Sequence, residues 1–238
     1  MSTIVIVGGV AGGATAATRL RRLDESANIV LIERGEHVSF ANCGLPYHVG
    51  GDIADESALL LTTPERVAAR FRIDARVHHE VTRIDREQRR VEGIDRKSGK
   101  SFSFEYDKLI LAPGASPILP EIAGISAKNV FTLRNVEDTR RLRDHIASGQ
   151  ARQAVVVGAG FIGLEMVEAL LARGIEVSLI ERAPHVLPTL DSEMSGWLEA
   201  ELARNNVQLR VGVGLSAFEE REGLVTTVIT ESGERLQT

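Results

Sequence analysis

A single cysteine, Cys43, stands in the stretch Ser39-Phe40-Ala41-Asn42-Cys43-Gly44-Leu45-Pro46-Tyr47, between two glycine-rich loops. A thiol in that setting could pass electrons, could capture a thiol ligand, or could fill apolar space, the common fate of a free cysteine. Its neighbours favour chemistry: Ser39, Asn42 and Gly44 are hydrogen-bonding or close-approach residues and poor core fillers. Pro46 limits how far a local helix can extend. One cysteine forms no intrachain disulfide, so a dithiol pair is excluded as redox centre, and a reducing, cytoplasmic setting is expected.

The glycines point to phosphate. Gly8-Gly9-Val10-Ala11-Gly12-Gly13, followed by Ala14, comes directly after the β-branched run Thr3 to Val7. Amide groups of such a loop approach a pyrophosphate at a helix N-terminus, where the dipole favours negative charge. Val10 replaces the middle glycine of the strict pattern, but Asn28 to Ile32 reads as the next strand and ends at Glu33, placed to hold a ribose hydroxyl. The theme recurs complete in Gly158-Ala159-Gly160-Phe161-Ile162-Gly163, with a strand from Glu176 to Ile180 that ends at Glu181. Glu181 would accept from a free 2′-hydroxyl and repel a 2′-phosphate, so NADH is expected before NADPH, with adjacent Arg182 acting the other way. Two nucleotide sites are most economically a hydride donor and a flavin.

These loops need strands and helices to carry them. The pattern predicts an α/β fold: two Rossmann-like dinucleotide-binding domains, three-layer, with a parallel sheet plus a β-meander. The boundary is placed at 117/118, in the crossing marked by Pro113, Pro117 and Pro120. The helix after the first loop should carry Leu20 and Leu23 toward the core. Thr63-Pro64 starts a helix that runs to about Phe71. Arg90 to Ile94 and Ser101 to Tyr106 flank a turn as a hairpin. Asp107 to Ala112 then returns as a buried strand. A polar helix is expected at Val136 to Ile146, another at Ser192 to Arg204, strands near Val207 to Val211 and a hairpin near Leu224 to Thr230. Trp197 is expected to pack, and Arg19, Arg21 and Arg22 to form a solvated helix face or to serve a phosphate-bearing substrate.

Composition narrows the partners. With 43% hydrophobic and 26% charged residues and a net charge of -5, the profile is that of a soluble globular protein with no nucleic-acid partner. No long uncharged span suggests a membrane helix. No metal site is expected: the histidines lack ligand spacing, and His78 and His79 would face opposite sides of one strand.

The first loop, Glu33, the Ser39–Tyr47 stretch and Leu111-Ala112-Pro113-Gly114-Ala115 together resemble the pyridine nucleotide-disulfide oxidoreductases. The resemblance is to their single-cysteine branch of coenzyme A-disulfide reductases, persulfide reductases and NADH oxidases. It implies an FAD-binding domain over residues 1–117 and an NAD-binding domain over residues 118–238. By resemblance, Gly8, Gly9, Val10, Ala11, Gly12, Gly13, Ala14, Glu33, Arg34, Val81, Ala112 and Gly114 bind FAD. Gly158, Gly160, Gly163 and Glu181 hold NAD, with Phe161, Ile162 and Glu165 toward the nicotinamide and flavin. Cys43 is the redox sulfur, and Thr15, Arg19, Arg22, Ser39 and Asn42 match positions that hold coenzyme A or its disulfide. Val10 stands where oxidases and peroxidases of the branch carry histidine, which favours coenzyme A chemistry. A lysine used by the family for coenzyme A falls at Phe71, between Arg70 and Arg72. The resemblance further implies truncation before a C-terminal dimerisation domain, and a homodimer in the complete protein. An oxidase that works through a sulfenic acid, and an inactive nucleotide-binding fragment, stay open as alternatives.

Overall fold

The computed structural model describes residues 2–238. In chain order the elements begin with β1 (Thr3–Val7), α1 (Ala11–Leu23), β2 (Asn28–Ile32), α2 (Leu45–Gly50) and α3 (Pro64–Phe71). Next come β3 (Ile73–Arg76), β4 (His79–Asp85), β5 (Arg90–Asp95), β6 (Ser101–Glu105) and β7 (Lys108–Leu111). The remainder is α4 (Val136–Ala147), β8 (Gln153–Val157), α5 (Phe161–Ala172), β9 (Glu176–Glu181), α6 (Ser192–Arg204), β10 (Gln208–Val211), β11 (Leu215–Arg221), β12 (Leu224–Thr230) and β13 (Arg235–Gln237). The chain divides into two compact units. One comprises the residues up to Ala41 with Glu56–Ser116; the other comprises Asn42–Asp55 and Pro117–Thr238.

The first unit is built on a parallel sheet of order β3-β2-β1-β7. Alternation along β1 and β2 decides its layers. Ile4, Ile6, Ile29 and Leu31 turn to one face and pack with Ala17, Val38, Val67 and Ile73. Val5, Val30 and Ile32 turn to the other and meet Val91, Phe102 and Phe104 of the antiparallel meander β4-β5-β6. Strands buried on both faces read as continuous apolar runs, as these do. Thr63 caps α3 by accepting from the Arg66 N–H, with proline next as expected.

Three expectations for this unit are corrected. β7 is an edge strand, and Leu111 is 57% exposed because β7 pairs on one side only. Leu23 closes α1 on its outer face and is 65% exposed. Arg21 is buried: its guanidinium donates to the carbonyls of Phe71 (2.7 Å), Arg72 (2.8 Å), Ala27 (2.8 Å), Glu25 (2.9 Å) and Asp24 (3.3 Å). One fork thereby satisfies the carbonyl ends of α1 and α3, groups that a helix cannot bond internally. Replacing Arg21 with Ala orphans those acceptors, and a loss of about 3 kcal/mol is expected in urea unfolding of this unit. Arg21→Lys should recover only part, since an ammonium cannot reproduce the fork.

The second unit repeats the plan with a parallel sheet β10-β9-β8 and a meander β11-β12-β13. Val177 and Leu179 of β9 face Met166, Val167 and Leu170 of α5, whereas Ile180 packs with Val225, Val228 and Leu236 of the meander. Arg210 of β10 forks onto Glu234 at 2.7 to 2.9 Å. Those hydrogen bonds hold the Glu234 carboxyl below its usual range. The tie therefore contributes above the ordinary carboxylate range and is lost as pH falls.

Helix α2 also belongs to this unit, an element the sequence reading did not contain. Pro46 occupies its first turn, and Gly51, in the left-handed region at φ 103°, ends it after six residues. A Cβ on Gly50 would lie 3.2 Å from the Ala169 Cα, so α2 approaches α5 closely. Arg173 donates to the Val49 carbonyl at 3.0 Å. Buried His48 lies against the Ile53 carbonyl (Nδ1, 2.6 Å) and Arg143 of α4 (Nε2, 2.9 Å). Trp197, expected to pack, is 76% exposed on the outer face of α6. His78 precedes β4 in the left-handed region (φ 58°), so the two histidines do not share a strand as expected.

Candidate functional site

Each unit carries the same device at the tips of its first two parallel strands. Gly8 follows β1 with φ 100°, and its N–H donates to the Ile32 carbonyl at 2.8 Å. Gly158 follows β8 with φ 99° and donates to Ile180 at 2.8 Å. Such φ values suit glycine, which has no Cβ to clash. The last glycine of each loop is required by contact: a Cβ on Gly13 would sit 1.7 Å from the Gly8 oxygen, and on Gly163 1.9 Å from the Gly158 oxygen.

The acids that end the second strands are oriented alike. Glu33, buried, accepts from the Gly9 N–H (2.7 Å) with one oxygen and from the Gly35 N–H (2.7 Å) with the other. Glu181 accepts from Ala159 (2.6 Å) and Ala183 (2.8 Å). Each carboxylate is thus clamped between the glycine turn and its own loop. Each oxygen keeps a lone-pair direction for a ribose hydroxyl.

The clamp extends further along the chain. Ser39 (φ 51°) donates from its N–H to the Gly9 carbonyl at 3.0 Å, and Leu187 (φ 45°) donates to Ala159 at 2.9 Å. Behind these turns Val38 and Val186 are fully buried. The sequence signal is Leu31-Ile32-Glu33-Arg34-Gly35-Glu36-His37-Val38 against Leu179-Ile180-Glu181-Arg182-Ala183-Pro184-His185-Val186, a repeat the sequence reading did not use.

The N-termini of both helices can receive an anion. Neither α1 nor α5 has a side-chain cap at its N-terminus, so the dipole and first-turn amides are available to an anion. Nothing lies within 4 Å of a Cβ built on Gly160, leaving space in front of the loop. Val10 occupies the corresponding place in the first loop and immediately precedes α1.

The other expected residues fall as follows. Ala11, Gly12, Ala14 and Thr15 lie in the first turns of α1, with Arg19 and Arg22 exposed further along it. Ala112 donates to the Val7 carbonyl at 2.7 Å and stands beside Gly8; Gly114 follows with φ 71°. Arg34 reaches the Ser116 hydroxyl at 3.1 Å. Val81, half-buried on β4, pairs with Gly93. Phe161 and Ile162 are exposed in the first turn of α5, with Glu165 half-buried after them. Asn42 and Cys43 form a 3-10 turn leading into α2, and the Cys43 thiol is exposed. That turn groups with the second unit because α2 packs on α5, whereas Ser39 groups with the first. Among the described residues no helix is long and apolar enough to cross a membrane.

The comparisons agree with this geometry. The chain is 38% identical over 222 residues to a coenzyme A disulfide reductase of Staphylococcus aureus, covering 93% of this chain and 50% of that protein. The crystal structure of reduced Bacillus anthracis CoADR-RHD superimposes with a TM-score of 0.95 at 47% identity, over 100% of this chain and 42% of that one. An NAD-dependent persulfide reductase from A. fulgidus gives 0.93 at 34%, over 99% and 44%. The chain spans about half the length of the curated relatives it matches. The description of one family, pyridine nucleotide-disulphide oxidoreductase, matches residues 2–238. Two glycine turns with clamped acids, an exposed thiol and a match along nearly the whole chain lead to one conclusion: this chain belongs to the pyridine nucleotide-disulphide oxidoreductase family.

Proposed function

We propose that the protein carrying this chain is an FAD- and NADH-dependent reductase of coenzyme A disulfide, or of a related persulfide, with Cys43 as the exchanging sulfur. The supporting observation is the duplicated clamp, one dinucleotide-shaped loop in each unit, together with a single accessible thiol. In this reading the first loop, from Gly8 to Ala14, holds the FAD pyrophosphate with Glu33 on the ribose, aided by Arg34, Val81, Ala112 and Gly114. The second, Gly158 to Gly163 with Glu181, holds NAD, and Phe161, Ile162 and Glu165 flank the nicotinamide. Bound FAD would supply the relay of two electrons between nicotinamide and sulfur.

The chain's own part is thiol exchange. The Cys43 thiolate attacks one sulfur of the substrate disulfide; that S–S bond breaks, and one coenzyme A leaves as thiolate. The resulting mixed disulfide takes two electrons and a proton, which frees Cys43 thiolate and the second thiol. Exposure of Cys43 on a short 3-10 turn gives a bulky disulfide access to the sulfur. Arg19 and Arg22 are assigned to the substrate phosphates and Thr15, Ser39 and Asn42 to its polar arm. An exposed arginine–phosphate contact of this kind contributes about 1 kcal/mol, enough to select among thiols. A homodimer is the expected form of the protein that carries this chain.

The test is optical. Protein loaded with FAD should be yellow and bleach with NADH in the absence of oxygen. After exposure to coenzyme A disulfide it should release one coenzyme A on reduction. Protein that takes up no FAD, or NADH-driven oxygen consumption indifferent to coenzyme A disulfide, would refute this assignment.

A further inference from the structure

The repeat places an arginine directly after each clamped acid, and the two arginines meet different partners. Arg34 donates to a neutral hydroxyl, Ser116. Arg182, 83% exposed, lies 3.9 Å from the Glu231 carboxylate. An exposed arginine at the tip of β9 would by itself attract a 2′-phosphate, against the repulsion from Glu181. Which charge prevails depends on what holds Glu231.

Glu231 is fixed by backbone. One carboxylate oxygen accepts from the Gly214 N–H at 3.1 Å, and the Glu231 N–H donates to the Gly214 carbonyl at 2.9 Å. The preceding residue, Val213, donates to the Glu181 carbonyl at 3.0 Å. A Cβ on Gly214 would lie 2.9 Å from the Glu231 carboxyl, so the glycine makes room for this acid. The meander thus sets a second carboxylate beside the strand tip that carries the ribose acid.

We propose that Glu231 is a specificity-determining residue: it neutralises Arg182 and so sets the second site against 2′-phosphorylated dinucleotides. The inference rests on the reading of the second loop as an NAD site. Removing the Glu231 charge would leave Arg182 unpaired and turn it toward a 2′-phosphate, at a range where low salt leaves the interaction largely unscreened.

The experiment is calorimetric titration with NAD+ and NADP+ of the parent chain, Glu231→Gln, and Glu231→Gln combined with Arg182→Gln. Glutamine can still accept the Gly214 N–H, so the turn is retained. The ratio of NADP+ to NAD+ affinity should rise about five-fold in Glu231→Gln at low ionic strength, shrink with added salt, and return toward the parent value in the double variant. A ratio that does not move in Glu231→Gln, or that rises equally without Arg182, overturns the proposal while leaving the NAD site intact. A parent chain that binds neither nucleotide overturns the reading of the second loop, and the proposal with it.

Discussion

Replacing Cys43 with Ser is expected to lower NADH-driven cleavage of coenzyme A disulfide by at least about a thousand-fold, while flavin reduction by NADH continues at nearly the parent rate. Cys43 is the only cysteine in the chain, so no other thiol of these 238 residues can take over the exchange. A serine hydroxyl remains almost wholly protonated at neutral pH, and thiolate is the species that attacks a disulfide. The side chain is exposed and serine is nearly isosteric, so the fold should tolerate the change. Anaerobic stopped-flow absorbance follows the flavin, and a thiol assay follows coenzyme A. Parent-level thiol release by the variant would remove Cys43 from the reaction. Loss of both half-reactions together would mean that the substitution had disturbed the flavin site.

The second large effect separates two glycines of one loop. Gly163→Ala drives a Cβ to within 1.9 Å of the Gly158 carbonyl oxygen, a backbone atom fixed by the strand-to-helix turn. Either α5 shifts or the turn opens, and a loss of about 3 kcal/mol or more is expected in thermal or urea unfolding of the second unit. Gly160→Ala meets nothing within 4 Å, and the Gly160 backbone is extended with negative φ, so folding should change by less than about 0.5 kcal/mol. The new methyl would instead stand where the pyrophosphate must approach, and NAD+ affinity should fall about ten-fold or more by calorimetry. Gly196→Ala serves as control: it sits mid-helix on α6 in open space, and a gain of about 0.5 to 1 kcal/mol is expected. Full NAD+ binding by Gly160→Ala would show that this loop does not face the nucleotide.

Much of the architecture was legible from local pattern. Both β-branched runs before the glycines, the acids that end β2 and β9, the Thr63 cap and the β5–β6 hairpin depend on neighbours in sequence, where propensity and periodicity operate. The glycine spacing was readable for the same reason, because Gly13 and Gly163 answer to a carbonyl only five residues back.

What resisted reading depends on partners distant along the chain. Arg21 looks like any solvated arginine until α3 brings the Phe71 and Arg72 carbonyls to it, fifty residues on. The burial of α2 rests on α5, and Val49 meets Arg173 across 124 positions. Leu111 is exposed because burial of a strand depends on what covers its second edge, which its own residues do not encode. Trp197 stays exposed because the face of α6 that carries it packs on nothing in its unit. Sequence by itself thus determined two glycine loops, each followed by a strand and an acid, and one thiol. Tertiary structure decided which unit carries the thiol's turn, how each acid is clamped, and that Glu231 meets Arg182, because carboxylates and guanidinium groups are placed by backbone that only the assembled sheet brings near.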